Sequence, residues 1–354
     1  MDLQVAVAAS MLPAARSLVG AVFKNLRHRH DGPSALNAAL SVLGFPPDAH
    51  QEIVDLALEG AEHALRRATV LGITACAPGD AAYPPLLACI PDPPPVLWMH
   101  GDPSALERPT VAVVGSRAAS QYALAVGERL GRELSDRGVT VASGLARGVD
   151  SAAHRGCLAS GGLTAAVLGS GLDRIYPDEH RELAASISNR GVLISELGPG
   201  APPRAEHFPL RNRIISGISL AVIVVEACEK SGSLITAKCA LEQGRDVMAV
   251  PGSVLTGRNR GSHALLKDGA KVVESADDIL DGLGWAESAA DKVAPTKLLN
   301  RDPLLARMEP GEAYELEALA DMTGTTGARL LPRLMELELQ GLVGAFRGRF
   351  SRRQ

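Results

Sequence analysis

At 354 residues the chain is too long for one comfortable core, so length alone points to roughly two or three domains. Hydrophobic residues make up 46% and charged residues 21%, the balance of a folded soluble protein and not of a disordered one. The 36 Lys and Arg against 40 Asp and Glu give a formal charge of −4, which excludes a strongly basic nucleic-acid coat. That acid excess is local, however. Residues 1–106 carry 6 basic and 10 acidic side chains, 107–285 carry 20 of each and 286–354 carry 10 of each, so basic clusters can dominate the field beyond residue 106.

Aromatics are only 3%, too few to stack every base of a strand, so any nucleic-acid grip must rest on phosphate and backbone. The five cysteines, Cys76, Cys89, Cys157, Cys228 and Cys239, show no CxxC spacing. This argues against a disulfide frame or metal site and for a reducing cytoplasm, with no cofactor expected. The charge-free apolar run 214–225 is shorter than a bilayer span. Asp2 stands where a secretory leader would be basic, so no membrane partner is expected.

Residues 1–80 read as helices separated by turns. Pro46-Pro47 precedes a stretch in which Ile53, Leu56, Ala57, Leu58, Ala61 and Leu65 recur at helical spacing. Residues 81–106, from Pro84-Pro85 to Pro93-Pro94-Pro95 and beyond, form a stiff Pro-rich connector containing a short strand at 96–99. From Thr110 apolar runs alternate with helical patterns. The runs are 111–114, 139–142, 163–168, 192–195, 221–225 and 247–250, with 271–273 as a seventh, and amphipathic segments such as 123–137 and 179–189 lie between them. Short β-branched runs joined by helices specify a parallel sheet covered on both faces, so residues 107–285 form a doubly wound α/β domain. Residues 286–297 read as a linker. Residues 298–354 show three helical patterns, with Leu330, Leu334 and Leu337 on one face, then a Gly-broken hairpin: a winged-helix-like domain. Pro332 requires its helix either to begin late or to kink.

Open parallel sheets bind ligands outside the carboxyl ends of their strands, near the point where strand order reverses. The first such loop, Gly115-Ser116-Arg117, is either a phosphate seat at a helix N-terminus or a tight turn with a solvated arginine. It lacks the GxGxxG spacing of a dinucleotide fingerprint, and Ser143-Gly144 stands where that motif needs an acid. Gly144 and Arg147 lie in the second loop, Gly169 in the third, and Ser231-Gly232-Ser233 opens a later helix. Four such loops on one edge suggest an anion groove. The densest cluster is Phe208-Pro209-Leu210-Arg211-Asn212-Arg213, read at a helix start. It is either a stacking wedge beside phosphate clamps or a salt-bridge cluster with Phe208 as a core staple. Arg258, Asn259 and Arg260 add polarity and charge after Pro251-Gly252. No catalytic residue stands out: His154 and His180 have no recognisable nucleophile partner, and Glu196 and Glu226 either act as acid or base or cap the following helices.

The segments Val111–Arg117, Ser143–His154, Phe208–Gly217 and Ser231–Ala237, together with Pro251-Gly252 and Asn259-Arg260-Gly261, resemble the DNA-processing protein A family, also called Smf, over residues 80–282. The resemblance implies an extended Rossmann-like domain that dimerises and binds single-stranded DNA. It further implies an N-terminal helical domain of the sterile-alpha-motif-like type and delivery of the strand to a RecA-type recombinase in natural transformation. Gly115, Ser116 and Arg117 match the family's phosphate-binding turn, and Phe208, Arg211 and Arg213 its aromatic and basic wall. Leu210 stands where members often carry another arginine. Two rival functions remain: a Rossmann-like nucleotide phosphoribohydrolase, whose Gly-Gly loop is absent here, and a transcription factor using the C-terminal domain, which has no basic recognition helix.

Overall fold

Alanine-rich, apolar helical periodicity opens the chain as α1 (Leu3–Ala9), α2 (Arg16–Leu26), α3 (Pro33–Val42) and α4 (His50–Val70). The computed structural model describes residues 2–26, 32–285, 304, 307–308, 313–339, 343–346 and 349–352. Its contacts divide the chain into two units, Met1–Ala286 and Glu287–Gln354; the expected linker at 286–297 lies outside the described residues. Asp2 caps α1 by accepting from the Gln4 N–H at 3.0 Å. Pro33 starts α3, where a missing N–H costs nothing. The buried stripe of α4 runs through Val54, Ala57, Ala61, Ala64 and Ala68. Leu56, read as part of that stripe, is instead 71% exposed. These helices share one core with Trp98, Leu145, Leu168, Leu183 and Ile187, so the N-terminal helices pack directly on the α/β elements that follow.

Those elements are β1 (Thr74–Cys76), α5 (Pro85–Ala88), β2 (Leu97–Gly101), β3 (Thr110–Val114), α6 (Gln121–Asp136), β4 (Thr140–Ser143), α7 (Val149–Ala159) and β5 (Thr164–Val167). Then come α8 (Arg181–Arg190), β6 (Val192–Ser195), α9 (His207–Gly217), β7 (Ala221–Val224), α10 (Gly232–Glu242), β8 (Asp246–Ala249), α11 (Arg260–Lys267), β9 (Lys271–Val272) and α12 (Ala276–Gly282). Nine strands make one sheet in the order β1-β2-β6-β5-β4-β3-β7-β8-β9. It is parallel from β6 to β9, with β2 antiparallel to β6 and β1 antiparallel to β2. The expected doubly wound Rossmann-like fold is therefore present, and the sheet reaches back through β2 into the segment read as a connector.

Alternation along β3 shows how the layers form. Val111 and Val113 pack with α6, α7 and α12 residues such as Leu130, Val149 and Ile279. Ala112 and Val114 pack on the other face with Ile214 and Ile215 of α9 and Ala237 of α10. From β3 the chain winds outward through β4, β5 and β6, then returns to set β7 on the other side of β3. That reversal opens a crevice at the carboxyl ends of β3 and β7.

In the second unit β10 (Ala313–Glu315), α13 (Leu316–Thr323), α14 (Gly327–Leu339), β11 (Val343–Phe346) and β12 (Arg349–Arg352) include an antiparallel sheet of order β10-β12-β11. Leu319, Leu330, Leu334, Leu337, Val343 and Phe350 form its core. Pro332 lies inside α14, so that helix does not begin late. Among the described residues no helix is long and apolar enough to cross a membrane.

Candidate nucleic-acid interface

The crevice is tied together by Glu226, which follows β7. Its carbonyl accepts from the Ser116 N–H at 2.7 Å, and its carboxylate accepts from the Ser120 N–H (3.1 Å) and Oγ–H (2.6 Å). Ser120 is the N-cap of α6. Glu226 thus places negative charge at a helix N-terminus, a stabilising position, and is only 1% exposed. The expected cap of the following helix is not what forms: the carboxylate supports the start of α6, the helix after β3, while α10 is capped by Ser231. Glu196 accepts from Arg213 Nη2 at 2.8 Å, an ion pair and neither of the expected roles.

Next to this tie lies a cleft of about 670 Å³ that brings together Gly115, Ser116, Arg117, Phe208, Arg211, Asn212, Ser231, Gly232 and Ser233. Arg117 is exposed and sits over the Phe208 ring, its guanidinium carbon 5.3 Å from the ring centroid. Tyr176, absent from the sequence reading, packs against the same ring at 5.4 Å and 44°. Phe208 is half-buried and faces the cleft, so it is a wall residue with one open side. The same cleft is lined by the start of α10, where the Ser231 and Ser233 hydroxyls lie 2.7 Å apart and Asn212 Nδ2 donates to the Gly232 carbonyl at 3.2 Å. A free guanidinium, an aromatic pair, two hydroxyls and a helix N-terminus suit a phosphate and an unstacked base.

Other expected contacts serve the protein itself. α9 begins at His207, ahead of the predicted start, because Pro209 falls in the first turn, where N–H groups lack intrahelical acceptors. Arg211, Asn212 and Arg213 therefore occupy the second turn and are buried. Arg211 donates from Nη1 to the carbonyls of Gly144 (2.7 Å) and Val167, and from Nε to Asn212 Oδ1 (3.1 Å). Burial pushes its pKa down to about 10, against the pull of Asp150. Arg211 forms the floor of the cleft and does not reach into solvent. Arg213 is not in the cleft wall: it pairs with Asp92 and Glu196, both at 2.8 Å. Burial opposes its charge, but the two carboxylates outweigh that effect and hold its pKa above the ordinary value.

The second loop is likewise occupied from within. Gly144 and Ala146 donate their N–H groups to Asp150 Oδ2 at 3.1 and 3.4 Å, so a carboxylate already sits where an incoming anion was expected. Burial raises the Asp150 pKa, opposed by Arg211 and these amides. Gly144 has no room for a Cβ, which would overlap the Arg211 guanidinium. Gly148 takes φ +81°, and a side chain there would also strike the Ser116 carbonyl. Arg147 points outward in an exposed ion pair with Glu179, and Gly169 makes space for the Phe208 ring. Asn259 lines a neighbouring cleft, while Arg260 pairs with Glu229 at 3.5 Å on the surface.

His154 is buried between α7 and β5. Thr164 Oγ1 donates to the Val141 carbonyl (2.6 Å), so it accepts from His154 Nδ1–H at 2.7 Å and leaves Nε2 bare. Burial, with Arg211 nearby, pushes this histidine down to about 3. All five cysteines are free, with Cys76 and Cys157 buried and Cys89 and Cys228 exposed. Among the described residues no cluster of His, Cys, Asp and Glu is fit to hold a metal.

Fold and cleft together define a doubly wound α/β protein with a basic, aromatic-walled crevice at its switch point. A family model described as DNA recombination-mediator protein A matches residues 74–284, and the chain belongs to that family. Protein Smf of Escherichia coli (strain K12) is 43% identical over 290 residues, 78% of this chain and 76% of that protein. DNA processing protein DprA of Streptococcus pneumoniae is 47% identical over 201 residues, covering 57% of this chain and 71% of that one. The X-ray structure of DprA from Streptococcus pneumoniae superposes with a TM-score of 0.69 at 35% identity, covering 79% of this chain and 98% of its own. DNA processing protein A from Helicobacter pylori, whose structure was determined for its single-stranded DNA binding mode, gives 0.54 at 28% identity, with 60% and 95% covered.

Proposed function

We propose that the chain binds single-stranded DNA in the switch-point cleft without catalysing a reaction on it. The strand is protected there and passed to a RecA-type recombinase during natural transformation and recombination. The observation that carries this reading is Arg117 held over Phe208, with Tyr176 packed against the same ring and the Ser231–Ser233 hydroxyls lining the same cleft. The cation and hydroxyls suit a phosphate, and the ring suits an unstacked base. Membership of the family and the strand bound by the Helicobacter relative support it. The chain acts as a homodimer through its Rossmann-like unit in the cytoplasm, and the C-terminal unit, read as a winged helix, adds only modest affinity. The rival hydrolase gains nothing from the site, because Glu226 and Glu196 are both engaged by the protein itself.

Binding isotherms on single-stranded and duplex oligonucleotides at two salt concentrations test the proposal. With about four to six phosphates neutralised, log affinity for single strands falls against log salt with a slope of about −3 to −4. Equal affinity for duplex would overturn it. Faster assembly of a RecA-type recombinase on the bound strand tests the delivery step.

A further inference from the structure

Beside the cleft just described lies a second, of about 630 Å³, lined by Ser120, Tyr122, Glu226, Ser253, Arg258 and Asn259 among others. The two share a wall: Ser116 to Ala118 face the first, while Ser120 and Tyr122, a few residues on, face the second. Arg258 spans that wall, donating from Nη1 to the Ala118 carbonyl at 2.8 Å. A guanidinium carries five N–H donors, and Arg258 is exposed, so it retains donors for a phosphate at the crossing.

We infer that the second cleft holds the next part of the same strand, with Tyr122 as the platform for a nucleobase. The Tyr122 hydroxyl donates to the Pro251 carbonyl at 2.9 Å, which fixes the ring, while the residue remains 50% exposed. A ring anchored at its hydroxyl end and open elsewhere is a ready stacking surface. Val254 and Leu255, on the loop whose Ser253 and Thr256 line the cleft, are 79% and 91% exposed. Bare aliphatic side chains there gain from being covered by a base. Asn259, 3% exposed, has an Oδ1 with no hydrogen-bond partner among the described residues, an acceptor that a base N–H, such as the ring N–H of thymine, would satisfy. The inference rests on the proposed strand-binding function and extends its path along the sheet edge.

The test is affinity for oligothymidylates of increasing length, measured on the full chain with Tyr122→Ala, Tyr122→Phe, Leu255→Ser and Arg117→Ala. Tyr122→Ala weakens the long oligomers about tenfold and leaves the shortest that bind unchanged. Leu255→Ser, at an exposed position that does not threaten the fold, weakens the long ones in the same direction, and Tyr122→Phe, which keeps the ring but loses its anchor to Pro251, weakens them less than Tyr122→Ala. Equal loss at all lengths in Tyr122→Ala, or no loss at any, overturns the inference. So does thymidine monophosphate that binds this cleft and is not displaced by long oligomers, since a free nucleotide would then be the occupant. Arg117→Ala separates the two ideas: if it weakens every length, the first cleft stands whatever Tyr122 does.

Discussion

Arg117 and Phe208 form a cation–ring pair, the guanidinium carbon 5.3 Å from the ring centroid. Such a pair is worth only about 0.5–1 kcal/mol at an exposed site, so its main effect is to hold a mobile arginine in one place. The expected result of Arg117→Ala is an affinity loss for single strands of about 1.5–3 kcal/mol, the usual worth of a hydrogen bond to a charged group. The melting temperature should fall by no more than about 2–4 °C, the worth of the lost ring contact. Fluorescence anisotropy beside a thermal melt checks both; unchanged affinity would reduce Arg117 to a solvated turn residue.

Arg211 should behave differently although it lies in the same cleft. Its guanidinium holds the Gly144 and Val167 carbonyls and faces buried Asp150. Arg211→Ala leaves two acceptors and a carboxylate uncompensated, a destabilisation of about 3–5 kcal/mol. Chemical unfolding reads that loss directly. Full stability in this variant would contradict the buried geometry.

Two kinds of information separated at this cluster. The strands from β3 to β7 are legible because each is a short apolar run buried along its whole length, a pattern local in sequence. The Arg211-Asn212-Arg213 triplet announced a polar site but not its direction. Asp92, which claims Arg213, is 121 residues away, and no periodicity encodes that meeting. β1 was illegible for another reason: three residues between Gly72 and Pro78 carry too little alternation to register. Tyr176 was missed because a single ring in a polar loop carries no signal until Phe208 is folded against it.

His154 gives the fold an acid limit. Its pKa is pushed down to about 3, from 6.5 in an ordinary environment. Between these values the unfolded chain takes up a proton that the folded chain refuses. The stability it contributes is complete above about pH 6.5 and falls by up to about 1.4 kcal/mol per pH unit as pH drops toward 3. His154→Asn, which keeps a donor for Thr164, should flatten this dependence in urea titrations run at about pH 7 and about pH 5. An unchanged slope would assign the acid sensitivity to other groups.

Glu226→Gln tests the cap against the hydrolase reading. The neutral side chain loses its charge interaction with the α6 N-terminus, about 0.3–1 kcal/mol, and unfolding free energy should drop by that order. Neither parent nor variant should release base from purine monophosphates in a chromatographic assay. Release by the parent that disappears in the variant would make Glu226 a catalytic group.

Glu226 also touches the β3–α6 segment at both ends, through its carbonyl to Ser116 and its carboxylate to Ser120. The stretch between, which carries Arg117, is set in shape before any ligand arrives. Little conformational freedom remains for it to surrender on contact. A strand therefore meets a rigid rail and not a closing hand: its association rate should follow ionic strength closely, with no slow isomerisation phase after the first encounter.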